Sequence, residues 1–193
     1  MAFIDEWYKT AKEVILRPME FFKTMPTTGG FGEPLKFALI NIVITLILTA
    51  VILTEIPNTI PGLQLKKWTA IYGAETAGIT WTLMTLISGI IYIFILSGIY
   101  HLLLKLFGAK ERYEATFRVV AYITVFNIFS TISLIEMTAA KIVSFLITLY
   151  VLYLMVLGFR DAHKISSLRA AIVVLLPIII IMTLIIIWAI LYI

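Results

Sequence analysis

Five long apolar stretches, separated by shorter polar segments, run along the chain at about residues 35–55, 79–104, 117–135, 139–159 and 170–192. Each is near the roughly 20 residues an α-helix needs to cross the hydrocarbon of a bilayer. The pattern predicts an all-α, polytopic membrane protein with five transmembrane helices. Upstream of them the period changes. Phe3, Ile4, Trp7, Tyr8, Ala11, Val14 and Ile15 recur at helical spacing, with Asp5, Glu6, Lys9, Lys12 and Glu13 on the other face. This amphipathic helix, supported by the i,i+4 pairs Asp5/Lys9 and Glu13/Arg17, is expected to lie in the headgroup layer. Pro18 ends it, a short helix from Met19 to Met25 follows, and Pro26 with Thr27-Thr28-Gly29-Gly30 breaks regularity. The expected organisation is an interfacial segment at 1–33 and a five-span domain at 34–193.

Details of the spans refine this plan. Pro34 suits the first turn of span 1. Span 2, at about 26 residues, should tilt or project beyond the hydrocarbon. The connection around Glu136-Met137-Thr138 is so short that spans 3 and 4 must form an antiparallel hairpin. Pro177 is expected to kink span 5, because its ring removes a backbone donor and crowds the preceding turn. Thr85, Gly89, Ser97 and Gly98 make span 2 the expected close-packed helix, since small residues let backbones approach.

Composition agrees with a membrane-embedded chain: 62% of residues are hydrophobic and 13% charged, with mean hydropathy +1.06. The segment before span 1 is too charged to read as a cleavable signal, so span 1 is expected to direct insertion. Cysteine is absent, which excludes disulfides, thiolate metal sites and cysteine nucleophiles. Two histidines, His101 and His163, are too few for a multi-histidine metal site, and no metal or cofactor is expected.

Charge sets the expected orientation. Lys9, Lys12, Arg17, Lys23, Lys36, Lys105, Lys110, Arg112, Arg118, Arg160, Lys164 and Arg169 lie on the N-terminal side of the spans, and only Lys66, Lys67 and Lys141 on the other. Twelve cations against three place the N-terminus inside and the C-terminus outside a cell membrane. The cations flank spans without an aromatic-interleaved basic patch, which argues against nucleic acid.

Candidate chemistry is sparse. Asn41 and Asn127 lie inside spans 1 and 3, where an amide needs a hydrogen-bond partner; helix packing and a substrate or ion path are both open. His101, near the inner end of span 2, is a third intramembrane polar candidate. His163 reads as a surface residue of the connection Arg160-Asp161-Ala162-His163-Lys164. Glu55, Glu75 and Glu136 end spans on the outer side; they are either solvated or able together to attract a cation or accept protons. On the inner side, Lys9, Lys12, Arg17, Lys110, Arg112, Arg160, Lys164 and Arg169 form a basic face suited to anionic lipid or an acidic partner. Trp7, Phe21 and Phe22 are the expected interfacial anchors. No phosphate loop, HExxH, catalytic triad or paired intramembrane Asp is present, so no catalytic residue is assigned and an enzyme is not expected.

Three segments carry a family resemblance. Ile15-Leu16-Arg17-Pro18-Met19-Glu20-Phe21-Phe22 places a proline before an aromatic pair ahead of span 1. Gly108-Ala109-Lys110-Glu111-Arg112-Tyr113 continues through Glu114-Ala115-Thr116-Phe117-Arg118-Val119-Val120 to Ala121-Tyr122. Gly158-Phe159-Arg160-Asp161-Ala162-His163-Lys164 leads through Ile165-Ser166-Ser167-Leu168-Arg169 to Ala170. In order and spacing these resemble the YIP (Ypt/Rab-interacting protein) domain family, in a compact form of prokaryotic type. The resemblance implies five spans with an inside N-terminus, and a role in organising or shaping membranes. Eukaryotic relatives are associated with Rab-type GTPases. Their Asp-Leu-Tyr-Gly-Pro motif is missing here, so GTPase binding is not carried over.

Two functional readings follow. The first is a non-enzymatic membrane-organising or trafficking-type scaffold whose basic inner face contacts anionic lipid or an unidentified protein partner. The alternative is a transporter, channel or lipid-translocating protein with a polar path between spans 1–3. A homo-oligomer is compatible with either.

Overall fold

The computed structural model describes residues 2–55, 67, 69–71, 73–135 and 137–192. Among these residues the chain is helical and contains no strand. Helix α1 (Ala2–Leu16) is followed by α2 (Pro18–Thr24), which Pro18 starts at its first turn. The long helices are α3 (Gly32–Glu55), α4 (Ala74–Leu106), α7 (Thr138–His163) and α8 (Ser167–Tyr192). Between α4 and α7 lies a segmented element: α5 (Tyr113–Ile123), a 3₁₀ turn at Thr124–Phe126, α6 (Asn127–Ser130) and a second 3₁₀ stretch at Thr131–Leu134.

Five of the described stretches are long and apolar enough to cross a membrane: Gly32–Ile52, Gly78–Leu106, Tyr113–Leu134, Thr138–His163 and Ser167–Tyr192. The α4 helix has 33 residues, about 50 Å at 1.5 Å per residue, more than the hydrocarbon thickness of about 30 Å.

The third span is the structural centre. Every residue of α5 from Ala115 to Ile123 is buried, packed among α3, α4 and α7. The other long helices leave broad aliphatic surfaces open, such as Ile178 to Ile181 and Leu184 to Ile187 on α8. A bundle dissolved in lipid has no drive to hide such surface.

The third span begins at Tyr113, four residues before its apolar run, and its lower half is not regular α-helix. The cause is chemical. Thr124 Oγ1 donates to the Ala121 carbonyl at 2.6 Å, Ser130 Oγ to Asn127 at 2.6 Å, Thr131 Oγ1 to Ile128 at 2.7 Å and Ser133 Oγ to Ser130 at 2.6 Å. Hydroxyls that capture the i−3 carbonyl compete with the i−4 backbone ladder and favour the tighter 3₁₀ turn. By contrast, α8 continues through Pro177 without interruption.

Two reversals at the α1 end of the bundle share one capping geometry. After α4, Gly108 has φ +86°, its N–H reaches the Lys105 carbonyl at 3.1 Å, and the Ala109 N–H reaches Leu104 at 3.0 Å. After α7, Lys164 takes the left-handed conformation at φ 53° and the Ile165 N–H reaches the Arg160 carbonyl at 3.2 Å. Both close the helix end by satisfying its last carbonyls. The second case corrects the sequence-based reading: residues 160–163 are the last turn of α7, and the connection is only Lys164 to Ser166.

Among the described glycines the tightest contact is in α7, not in α4. A Cβ on Gly158 would sit 2.5 Å from Val119 Cγ1 and 3.3 Å from the Phe22 ring. Gly89 also permits a close approach, 3.1 Å to Ile42 Cδ1, whereas Gly98 has nothing within 4 Å. The close approach expected of span 2 is therefore present at Gly89 and absent at Gly98, and the most buried span is the third, not the second.

Candidate functional site: buried polar links and two cavities

Helix α1 joins the bundle through one stripe. Ala11 and Val14 are buried and Trp7 half-buried, spaced i, i+4 and i+7 on α1. The Trp7 indole N–H donates to Asn41 Oδ1 at 2.9 Å, and Asn41 Nδ2 donates to Thr124 Oγ1 at 3.0 Å. Asn41 is fully buried and thus links α1, α3 and the end of α5. Of the two readings left open for this amide, the geometry matches packing.

The three expected anchors point into protein. Phe22 is buried in the core, Phe21 stacks edge-on against Tyr122 with ring centroids 5.0 Å apart, and Trp7 is tied to Asn41. Among the described side chains of α1 and α2, the large exposed apolar ones are Ile4, Tyr8, Leu16 and Met19. An amphipathic stripe must be covered by something apolar, and here the bundle covers part of it.

A second link centres on Arg118, which sequence reading counted as one of the flanking loop charges. It lies inside α5 and is 1% exposed. Its Nη2 donates to the Gly30 carbonyl at 3.0 Å, its Nε lies 3.6 Å from Glu114 and its Nη1 3.9 Å from Glu33. The Gly30 N–H in turn donates to the Glu114 carboxylate. Gly29, at φ +113°, lets the loop approach: a Cβ there would meet Arg118 Nη2 at 3.0 Å. The guanidinium thereby clasps the α2–α3 loop to α5. Glu114 and Arg118, four residues apart at the edge of an apolar run, were the available signal for this pair.

A third link joins the two histidines. His101 Nδ1 and His163 Nε2 each lie 2.9 Å from Thr116 Oγ1, so one hydroxyl bridges α4, α5 and α7. A hydroxyl has one proton; it donates to one ring and accepts from the other. His163 is buried, which corrects its expected surface position. The correction follows from α7 running on to residue 163 and turning that ring inward.

Two cavities flank these links. One, of about 630 Å³, opens between α3, α4 and α6 and is lined by Thr45, Thr49, Thr85, Ser88 and Asn127 among mostly aliphatic and aromatic neighbours. Asn127 reaches this groove, whereas Asn41 does not line it. The other, about 330 Å³, lies between α1 and α3, with Glu6, Glu33, Lys36, Trp7, Phe37 and Tyr122 in its wall.

At the same end of the bundle as α1, the side chains of Lys9, Lys12, Arg17, Lys110, Arg112, Lys164 and Arg169 are exposed. Arg160 differs, because its Nε and Nη2 each donate to Asp161 at 2.7 Å. The carboxylates of Glu55, Glu75 and Glu136 lie outside the described residues. Among the described residues no group of three His, Cys, Asp or Glu side chains converges as metal ligands do.

Five apolar spans, the third of them buried at the centre, define a multi-pass helical membrane protein. A family description, the Yip1 domain, matches residues 12–189, and the chain belongs to that family. No curated protein and no solved structure matches it.

Proposed function

We propose that this Yip1-domain protein is a non-enzymatic membrane organiser, with α1 lying at the inner interface and the adjoining basic face holding anionic lipid or an acidic partner. The observation that carries the reading is the sharing of one end. Exposed Lys9, Lys12, Lys110, Arg112, Lys164 and Arg169 surround a helix whose outward edge shows Ile4 and Tyr8. Apolar insertion beside cations is the combination by which interfacial helices hold anionic membranes. The charge asymmetry supports an inside N-terminus and an outside C-terminus. The anchoring role moves from Trp7, Phe21 and Phe22 to Ile4 and Tyr8, because the former group is committed to the bundle.

Each lysine or arginine near an anionic surface contributes about 1 kcal/mol, screened by salt. The test is lipid selectivity of the full chain reconstituted in mixed phosphatidylcholine and phosphatidylglycerol bilayers, read by energy transfer from protein tryptophan to labelled lipid. The expected result is enrichment of the anionic lipid that fades at high salt and in a Lys9→Gln, Lys12→Gln, Lys110→Gln, Lys164→Gln variant. Equal affinity for both lipids in the unaltered protein would refute the electrostatic reading.

A second reading rests on the 630 Å³ groove. Its hydroxyl and amide groups among apolar walls suit a lipid passing between spans 1–3, the alternative of a lipid-translocating protein. Dithionite quenching of a fluorescent lipid in proteoliposomes tests it. Quenching of only the outer leaflet would remove this reading.

A further inference from the structure

The smaller cavity has a character opposite to the face around it. Two carboxylates, Glu6 from α1 and Glu33 from α3, share its wall with Lys36, and Glu33 also lies 3.9 Å from Arg118 Nη1. Three aromatic rings complete it: Trp7 and Phe37 have centroids 6.5 Å apart, and Phe37 and Tyr122 5.3 Å. Carboxylates beside aromatic faces attract a cation twice over, by charge and by the ring quadrupole. Glu6 and Lys36 are exposed, and neither takes part in an ion pair among the described residues.

The position of Lys36 narrows the ligand. Glu33, Lys36, Ile40, Val43 and Ile47 are spaced i, i+3, i+7, i+10 and i+14, one stripe along α3. From the end of the helix inward the stripe reads acid, base, then aliphatic, and Val43 and Ile47 are exposed within the apolar span Gly32–Ile52. Lys36 lies about 4.5 Å further along the axis than Glu33, comparable with the short link between nitrogen and phosphorus in an ethanolamine phosphate. A phospholipid inserted beside α3 presents its groups in that sequence: ammonium outermost, phosphate next, acyl chains deepest.

We propose that this cavity is a headgroup site for a phosphoethanolamine lipid. Glu6 and Glu33 take the ammonium, the rings of Phe37 and Tyr122 wall it, Lys36 takes the phosphate, and the acyl chains run along Ile40, Val43 and Ile47. A primary ammonium is favoured over a quaternary one because it has three N–H donors for carboxylate oxygens, which a trimethylated nitrogen lacks. The site is distinct from the anionic-lipid contact above, since the two carboxylates in its wall disfavour a headgroup that carries only negative charge.

The test is native mass spectrometry of the detergent-solubilised full chain with dioleoyl phosphatidylethanolamine, phosphatidylcholine or phosphatidylglycerol added at equal concentration. The expected result is retention of phosphatidylethanolamine over phosphatidylcholine by about tenfold, the factor corresponding to one good charge-assisted hydrogen bond. Glu6→Gln, which removes no side-chain bond among the described residues, should bring that ratio toward one. Lys36→Gln should weaken both zwitterionic lipids together, since both carry the phosphate. Free phosphoethanolamine identifies the source: failure to displace the lipid supports a membrane ligand, and displacement at equal concentration overturns that assignment in favour of the soluble headgroup. Equal retention of the two zwitterionic lipids by the unaltered protein, or a Glu6→Gln variant with unchanged selectivity, would overturn the site.

Discussion

Replacing Gly158 by alanine tests the packing on which the central helix depends. The added Cβ would lie 2.5 Å from Val119 Cγ1 and 3.3 Å from two atoms of the Phe22 ring. Carbon atoms at optimal separation lie about 3.5–4.0 Å apart, so the contact is short by roughly 1 Å. Val119 and Phe22 are both buried and have little room to retreat. Overpacking of this kind costs about 1–3 kcal/mol. Alanine also gains about 1 kcal/mol of helix propensity over glycine, which partly conceals the cost. Gly98→Ala separates the two terms, because Gly98 is helical with nothing within 4 Å of its would-be Cβ. The stability difference between the variants isolates the packing cost, about 1–3 kcal/mol, with Gly158→Ala the weaker. Reversible unfolding in mixed micelles, followed by circular dichroism, provides the measurement. Adding Val119→Ala to Gly158→Ala should recover part of the loss. Equal stabilities for Gly158→Ala and Gly98→Ala would show that α5 and α7 are not in the contact described.

Three further outcomes follow from the buried links. Arg118→Met should destabilise the bundle by about 3–5 kcal/mol by leaving Glu114 partly buried and unpaired, and adding Glu114→Gln should restore part of the loss in the same unfolding assay. Asn41→Leu should cost about 1–3 kcal/mol, because the Trp7 indole N–H and the amide's other partner lose their bonds; a red-shifted fluorescence component from Trp7, isolated in a background with the other tryptophans replaced by phenylalanine, would report release of α1. Thr116→Val should cost about 1–3 kcal/mol by stranding ring nitrogens of His101 and His163, whereas Thr116→Ser should retain most of the stability; equal losses for the two variants would show that the hydroxyl is not the bridge.

Legibility differed by the range of the interaction. The five spans could be read because hydrocarbon demands about 20 apolar residues in succession, a local property of sequence. The YIP-like segments at Arg17-Pro18, Gly108-Ala109 and Gly158-Phe159 were readable for the same reason, as short motifs in a fixed order. Asn41 was recognised as needing a partner, but its partners Trp7 and Thr124 are 34 and 83 residues away. Trp7 and Phe22 were assigned to lipid because an apolar side chain has the same identity whether lipid or protein covers it. Arg118 was assigned to a loop, although Glu114 four residues before it already hinted at an internal pair. The 3₁₀ turns were missed because a Thr or Ser inside an apolar run carries no local mark of which carbonyl its hydroxyl will choose.

By itself the sequence determined the solvent, the number of spans, the charge asymmetry between the two ends and the family. These follow from sums over contiguous residues, which folding does not change. Tertiary structure alone decided which span lies at the centre. All five are apolar enough for lipid, and only packing selects α5, where Gly158 admits Val119 and Arg118 finds Gly30 and two carboxylates. It also decided the acidic cavity in an otherwise basic end, because Glu6 and Tyr122 become neighbours only when α1 folds back onto the bundle.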